Sequence, residues 1–296
     1  MNPRAQMRML PDGRRLHLHD GPMDLIVEAF GAAEQIEAAY HAACNRFVHV
    51  LDELCGELSL LRRVCTSESE WPEGSVARRM MSAVMPYACQ CFITPMAAVA
   101  GAVAEEILGT MVKTANLSRA YVNDGGDIAL HFGVGERFVI GMLGRPGVPS
   151  LFGMTTLTAE DAVRGIATSG WRGRSFSLGI ADAVTVLGDR AAAADAAATI
   201  IGNAVDLPGH PAIMRIPACE LAPDSDLGNI PVTQAVGELS ARDVDEALEN
   251  GVTLATKLLR MSLIRAAALH LHGQTKTVSS MPESKLMEHE RGLVHA

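Results

Sequence analysis

The sequence predicts an α+β fold built on antiparallel sheet, and three observations carry that expectation. Period-two segments separated by tight-turn residues recur along the chain, as hairpins require. Long segments with apolar residues at steps of three and four lie between them, the spacing of amphipathic helices. Strands and helices do not alternate strictly, which argues against a doubly wound parallel sheet. The 48% hydrophobic share excludes a disordered chain, and the 4% aromatic share means that Ala, Val, Leu and Met must fill the core.

Residues Met7 to Phe30 read as a hairpin with its turn at Pro11-Asp12-Gly13 and a period-two run at Leu16-His17-Leu18-His19. Asp20-Gly21-Pro22 punctuates this run, and Leu25-Ile26-Val27 begins another strand. From Gly31 to Arg63, Ile36, Tyr40, Ala43, Phe47, Val50, Leu54, Leu58 and Leu61 mark one face of a helix. A polar loop spans Thr66 to Ser75. Helices are expected from Val76 to about Cys91 and from Pro95 to Val112, with Pro95 suited to a first turn. Arg119 to Asn123 is a strand and Asp124-Gly125-Gly126 a turn. Ile128–Phe132 and Phe138–Leu143 are expected to pair as a hairpin around Gly133-Val134-Gly135-Glu136.

Further strands are expected at Leu151–Leu157, Ala183–Leu187 and Ile264–Leu271, with an Ala-rich helix at Ala191–Val205. Between two of these strands, Ile166–Gly179 is rich in Gly, Ser and Thr. Five prolines (Pro208, Pro211, Pro217, Pro223 and Pro231) make the stretch from Asp206 to Pro231 an expected extended loop, and a candidate lid. Ser240 with Asp243 caps a helix running to about Met261. Residues 1–280 are expected to form one domain of two packed halves, and 281–296 a polar, disordered tail.

Charge and cysteine usage bound the function. A net charge of −9 and a pI near 5.6 exclude broad attraction to nucleic acid or to an anionic membrane. The first residues lack the apolar core of a signal peptide, and the six cysteines show no C-x-x-C, so a reduced cytoplasmic protein with cysteines as small core residues is expected. Met80 to Ala104 carries no charge, but Pro86 and Pro95 interrupt it. Two buried helices broken at Thr94-Pro95 are expected there, with Met80, Met81, Met85 and Met96 as core filler. His17 and His19, like His270 and His272, alternate along a strand; four imidazoles would gather into a metal site only if the two strands were neighbours.

Three segments suggest chemistry. In Asn123-Asp124-Gly125-Gly126-Asp127-Ile128 the paired glycines permit positive φ and let backbone N–H groups approach a ligand, although the same residues serve an ordinary hairpin turn. Thr168-Ser169-Gly170, continuing through Gly173-Arg174-Ser175-Phe176-Ser177-Leu178-Gly179, offers hydroxyls and N–H groups to phosphate oxygens. Asp195 and Thr199 stand four apart on the Ala-rich helix, so a carboxylate and a hydroxyl share one face. Both are hard ligands suited to Mg²⁺ completed by carbonyls, waters and phosphates.

In this order the motifs resemble those of the ApbE-like superfamily of flavin transferases. The likeness extends to Pro95-Met96-Ala97-Ala98-Val99-Ala100-Gly101-Ala102-Val103-Ala104-Glu105, and the chain is most similar to a short prokaryotic branch of that superfamily. The resemblance covers about residues 8 to 205. It implies T-fold-related antiparallel sheets flanked by helices, FAD in a central cleft, and Mg²⁺ beside the pyrophosphate. It also implies FMN transfer from FAD to a Thr or Ser of an acceptor protein, with AMP released. Carried over by motif, Asp195 and Thr199 hold the metal. Asn123, Gly125, Gly126 and Asp127 line the flavin cleft, Thr168, Ser169 and Gly170 meet the phosphates, and Asp182 is the remaining cofactor contact.

The chain departs from the pattern twice. Ala100 stands where the transferases carry a Lys before Gly, and the loop Leu178-Gly179-Ile180-Ala181-Asp182-Ala183 lacks their His and Pro. Arg172 or Arg174 is the candidate replacement charge. Three readings follow. The first is an ApbE-like protein binding FAD with Mg²⁺ and cleaving or transferring FMN. The second is a metabolite- or partner-binding protein of the same fold, in sulfur assimilation and homocysteine synthesis. The third is a structural homo-oligomer.

Overall fold

A computed structural model describes residues 4–143 and 151–281, which divide into two compact units. The first runs to Glu136 and takes in 162–167 and 188–196; the second comprises 137–161, 168–187 and the chain from Ala197 onward. Apart from Met281, the expected tail at 281–296 lies outside the described residues.

The first unit opens with strands β1 (Gln6–Met9), β2 (Leu16–Asp20) and β3 (Met23–Phe30). Helices α1 (Ala33–Gly56), α2 (Leu58–Leu61), α3 (Ser75–Val84) and α4 (Val99–Thr114) follow, then β4 (Arg119–Asp124) and β5 (Asp127–Phe132). These five strands pair antiparallel in sequence order. Leu16, Leu18, Leu25 and Val27 point inward at alternate positions, as the period-two pattern requires. Ala39, Ala43, Phe47, Val50 and Leu54 are the buried stripe of α1. The helix expected to reach Arg63 ends earlier, at Gly56, where the Glu57 carboxylate turns away to accept N–H bonds from Glu73 (2.7 Å) and Gly74 (2.8 Å).

Two further sequence expectations in this unit need correction. The helix expected to reach Cys91 stops at Val84 and passes into a single 3₁₀ turn, Met85–Tyr87, because Pro86 cannot donate the next helical bond. Only Cys65 is a buried core thiol; Cys55, Cys89 and Cys91 are exposed and Cys44 half-buried. Pro95–Thr114 is the one stretch among the described residues long and apolar enough to cross a membrane, and half of it is buried within the protein.

The chain continues through β6 (Arg137–Leu143), β7 (Leu151–Thr158), β8 (Gly165–Ser169), β9 (Ala183–Gly188) and α5 (Ala191–Ala204). It ends with β10 (Ile213–Pro217), α6 (Ala218–Leu221), β11 (Pro231–Val236), α7 (Ala241–Arg260), β12 (Ala266–Leu271) and β13 (Gln274–Ser279). The expected β5–β6 hairpin does not form. β6 pairs with β7 instead, and β5 pairs in the first unit with the start of β8, Ile128 opposite Ile166 and Ala129 opposite Gly165. The reason is Gly133: its N–H donates to Ser118 O (2.6 Å), and a Cβ there would stand 2.7 Å from the same oxygen. The chain therefore leaves β5 beside the start of β4 rather than folding back on its own strand.

In the second unit β12 pairs antiparallel with both β9 and β13, and α7 packs on β12 and β13. The Ser240–Asp243 capping box opens α7 as expected. The expected loop from 206 to 231 holds a strand and a short helix, with β10 paired to β11 and Pro217 and Pro231 opposite each other at the ribbon's end, where lost donors cost least. The terminal hairpin, missing from the sequence reading, turns at His272 (φ 45°) and Gly273 (φ 81°). The condition on a four-histidine site is not met, because the two strands are not paired neighbours: β2 pairs with β1 and β3, β12 pairs with β9 and β13, and His272 lies in the turn.

Candidate functional site

In the first unit the site begins where the N-terminal turns of α4 and α5 meet. Gly101 and Gly165 make the meeting possible: a Cβ on Gly101 would stand 2.4 Å from Ala191 O, and one on Gly165 2.2 Å from Ala191 N. Each helix then caps the other. Asp195 of α5 accepts the Gly101 N–H of α4 at 3.0 Å, and Glu105 of α4 accepts the Ala192 N–H of α5 at 2.8 Å. Both carboxylates thus serve the first-turn N–H groups that a helix leaves unpaired, at its positive end. The alanines of the A-D-A-A-A-T motif are small enough to permit this contact. Ala191, Ala192, Ala194 and Ala196 are all buried.

The two carboxylates are balanced differently. Glu105 is paired with Arg79 at 2.9 Å, and Arg190 also lowers its pKa, although burial still leaves that pKa raised. Asp195 instead feels the charge of another acid, Asp124. Burial pushes the Asp195 carboxyl up to about 7; the N–H groups of Gly101 and Ala100 oppose the rise and the Asp124 charge adds to it. No cation acts on Asp195 among the described residues.

Asp124 ends β4, nearly fully buried, opposite Asp127 at the start of β5. Between them Gly125 (φ 65°) and Gly126 (φ 117°) make the turn, and the Gly126 N–H donates to Asn123 Oδ1 at 2.8 Å. The structure therefore brings Asp195 to the glycine-pair motif of its own unit. Asp124 is the residue that the motif reading left without a role. Its signal was the alternation of β4, where Ala120, Val122 and Asp124 point inward, so that an acid occupies a core position.

The second unit holds the other candidates. Thr168 Oγ1 lies 2.9 Å from Thr185 Oγ1. Ser169 packs beside Gly202, and Gly170 is a close-approach glycine whose Cβ would stand 2.4 Å from Asp182 O. Asp182 is buried with both oxygens used: Oδ1 accepts Arg172 Nε–H at 2.9 Å and Oδ2 accepts the His272 N–H at 2.8 Å. The Arg172 guanidinium lies over the Trp171 ring, 4.2 Å from its centre. Thr199 is half-buried on α5, one turn beyond Asp195.

Among the described residues no group of three or more His, Cys, Asp or Glu side chains is placed to hold a metal. A first-unit cavity of about 530 Å³, lined by Gly31, Gln35, Asn116, Gly133 and Glu136, lies at the opposite end of the β4–β5 hairpin from the glycine pair.

Comparisons with known proteins bear on the family and the fold. The family described as AbpE bacteria matches residues 7–277. A UPF0280 protein of Methanococcoides burtonii is 42% identical over 120 residues, 40% of this chain and 48% of that protein. One from Methanosarcina barkeri is 37% identical over 142 residues, 47% and 53% of the two chains. The chain spans about half the length of the curated relatives it matches. Among solved structures, the apo form of Pseudomonas stutzeri flavinyl transferase ApbE superposes with a TM-score of 0.50 at 11% identity, covering 93% of this chain and 94% of that one. This last likeness is one of fold.

Proposed function

This chain belongs to the AbpE bacteria family, and on that footing we propose that it binds a flavin nucleotide, FAD, with Mg²⁺ and cleaves or transfers FMN from it. The observation that carries the reading is Asp195: a half-buried carboxylate whose pKa is raised by desolvation and by the charge of a second acid, oriented by backbone N–H groups, with no cation acting on it among the described residues. Such a group is costly to ionise alone and is stabilised by a divalent ion. The donor set fits a hard cation. Asp195 and Thr199, a turn apart on α5, are its side-chain ligands, with the remaining positions left to carbonyls, waters and phosphate oxygens. When bound, Mg²⁺ neutralises the charge of a diphosphate.

The chain's own groups then have defined parts. The Gly101 and Ala100 N–H groups hold the Asp195 carboxylate in place. Gly125 and Gly126 let the backbone approach a ring or ribose with no Cβ in the way, and Asn123 holds that turn while Asp127 accepts hydrogen bonds. Thr168, Ser169 and Gly170 offer hydroxyl and N–H donors to phosphate. Asp182 holds the Arg172 guanidinium within its own unit, and Arg172 or Arg174 is the candidate for the positive charge that the missing Lys would have carried. The attacking hydroxyl belongs to an acceptor protein or to water, which is why no nucleophile–base pair is required of this chain. The reduced cytoplasm is the compartment in which its six free thiols persist.

Incubating the protein with FAD and Mg²⁺ tests this reading. AMP release that needs Mg²⁺ and disappears in Asp195→Asn is the expected result. Failure to bind FAD at any Mg²⁺ concentration overturns it. A second reading, flavin or metabolite binding without turnover, is favoured by Ala100 and is distinguished by tight binding with no AMP.

A further inference from the structure

The first half of the uncharged stretch holds an unusual set of soft atoms. Five sulfur-bearing residues fall between positions 80 and 91, namely Met80, Met81, Met85, Cys89 and Cys91, and the fold of the first unit brings Cys65 against them. The Cys65 Sγ lies 3.5 Å from Met81 Sδ and 3.4 Å from Met85 Sδ. A thiol has one proton, so at most one of these contacts is an S–H···S hydrogen bond. The other sets two sulfur lone pairs against each other.

The arrangement is held from both sides. The Cys65 N–H donates to Ile93 O at 2.8 Å, and Met81 and Met85 stand one helical turn apart, which aligns their thioethers. Cys65 and Met81 are fully buried, Met85 is half-buried, and Cys89 is exposed yet close enough for its charge to act on Cys65. Three converging sulfurs, one of them a thiol, form a donor set that selects soft monovalent ions over Mg²⁺ or Ca²⁺.

We propose that Cys65, Met81 and Met85 form a three-sulfur site for Cu(I), separate from the carboxylate site on α5. On binding, the Cys65 proton leaves to solvent as the sulfur–metal bond forms, and no electron is transferred. Three sulfurs each about 2.3 Å from an ion stand about 4 Å apart, so the observed trio must open by about half an ångström. Met85, flexible and half-buried, is the side chain free to do this.

Anaerobic titration of the reduced full chain against the Cu(I) chelator bicinchoninate tests the site. One equivalent of Cu(I) withdrawn from the chelator, with sulfur-to-copper absorption in the near ultraviolet, is expected. Met81→Leu/Met85→Leu, which conserves volume, should weaken capture by at least about tenfold, and Cys89→Ser/Cys91→Ser should retain it. If the double Met variant fails to fold, Met85→Leu alone at the half-buried position gives the same readout. No capture, capture unchanged by the Met variants, or capture lost with Cys89 and Cys91 overturns the proposal. In each of those cases the trio is core packing only.

Discussion

Asp195 and Asp182 are both aspartates of motif segments, one in each unit; Asp182 is buried and Asp195 half-buried. Their surroundings differ in sign. Asp182 meets a guanidinium and a backbone N–H, so each oxygen has a donor and its charge has a counter-charge. Asp195 meets backbone N–H groups and another acid. A buried carboxylate that is paired belongs to the structure, whereas one left without a cation is where a ligand has work to do. The comparison also shows why a motif alone does not assign a role: the sequence offers both aspartates as ligand contacts, one to metal and one to cofactor.

The largest expected effect comes from the glycine that sets the geometry around Asp195. In Gly165→Ala the new Cβ meets Ala191 N at 2.2 Å, so the start of α5 must shift off β8. A loss of about 3 kcal/mol or more in urea unfolding is expected, because backbone cannot move aside as a flexible side chain does. Unchanged stability would mean that the helix start is not packed as described.

Asp182→Ala comes next. It strands the Arg172 guanidinium and the His272 N–H, and a cost of about 2–3 kcal/mol is expected, below the full range for buried pairs because Arg172 is partly solvated. An equal cost for Asp182→Asn and Asp182→Ala would locate the effect in the charge rather than in the hydrogen bonds.

Asp195→Asn should act in the opposite direction. Its carboxyl has a raised folded-state pKa, so between about pH 4 and pH 7 the folded chain keeps a proton that the unfolded chain has lost. The group's contribution to stability therefore falls as pH rises through that window and is level above it. The amide can still accept the Gly101 N–H but carries no charge. The variant should match the parent near pH 4 and exceed it by about 1–2 kcal/mol at pH 8, read from thermal or urea unfolding. A gap that does not widen with pH would show that Asp195 is balanced like Asp182.

The smallest effect sharpens the same contrast. Mg²⁺ at five times its dissociation constant should stabilise the parent by about 1 kcal/mol, and chelation should remove the gain. Asp195→Asn should show no such gain, and Asp182→Asn should retain it. A shift common to all three proteins would place Mg²⁺ elsewhere.

Much of the architecture was legible beforehand because it is local. The alternation in β2 and β3, the apolar stripe of α1, the Asn123–Gly126 turn and the Ser240 capping box all rest on residues within a few positions of one another. The misreadings were of another kind. The partner of β6, the ribbon inside 206–231 and the terminal hairpin depend on which edge is free when the chain arrives. Five prolines in a segment say nothing about that. Asp124 and Glu105 were missed as acids in apolar patterns, although each occupies an inward position of its element.

The sequence by itself determined most of the strands and helices of the first unit, the Asn123–Gly126 turn, and which residues carry hard-ligand or soft-ligand chemistry. These follow from φ/ψ preference and periodicity within each segment. Only the tertiary structure decided which acid has no cation acting on it among the described residues and which thiol meets two thioethers. Gly101 and Asp195 lie 94 positions apart, and Asp182 and His272 lie 90 apart. The cost of a buried charge is set by whatever distant segments place within a few ångströms of it, and no local pattern encodes that.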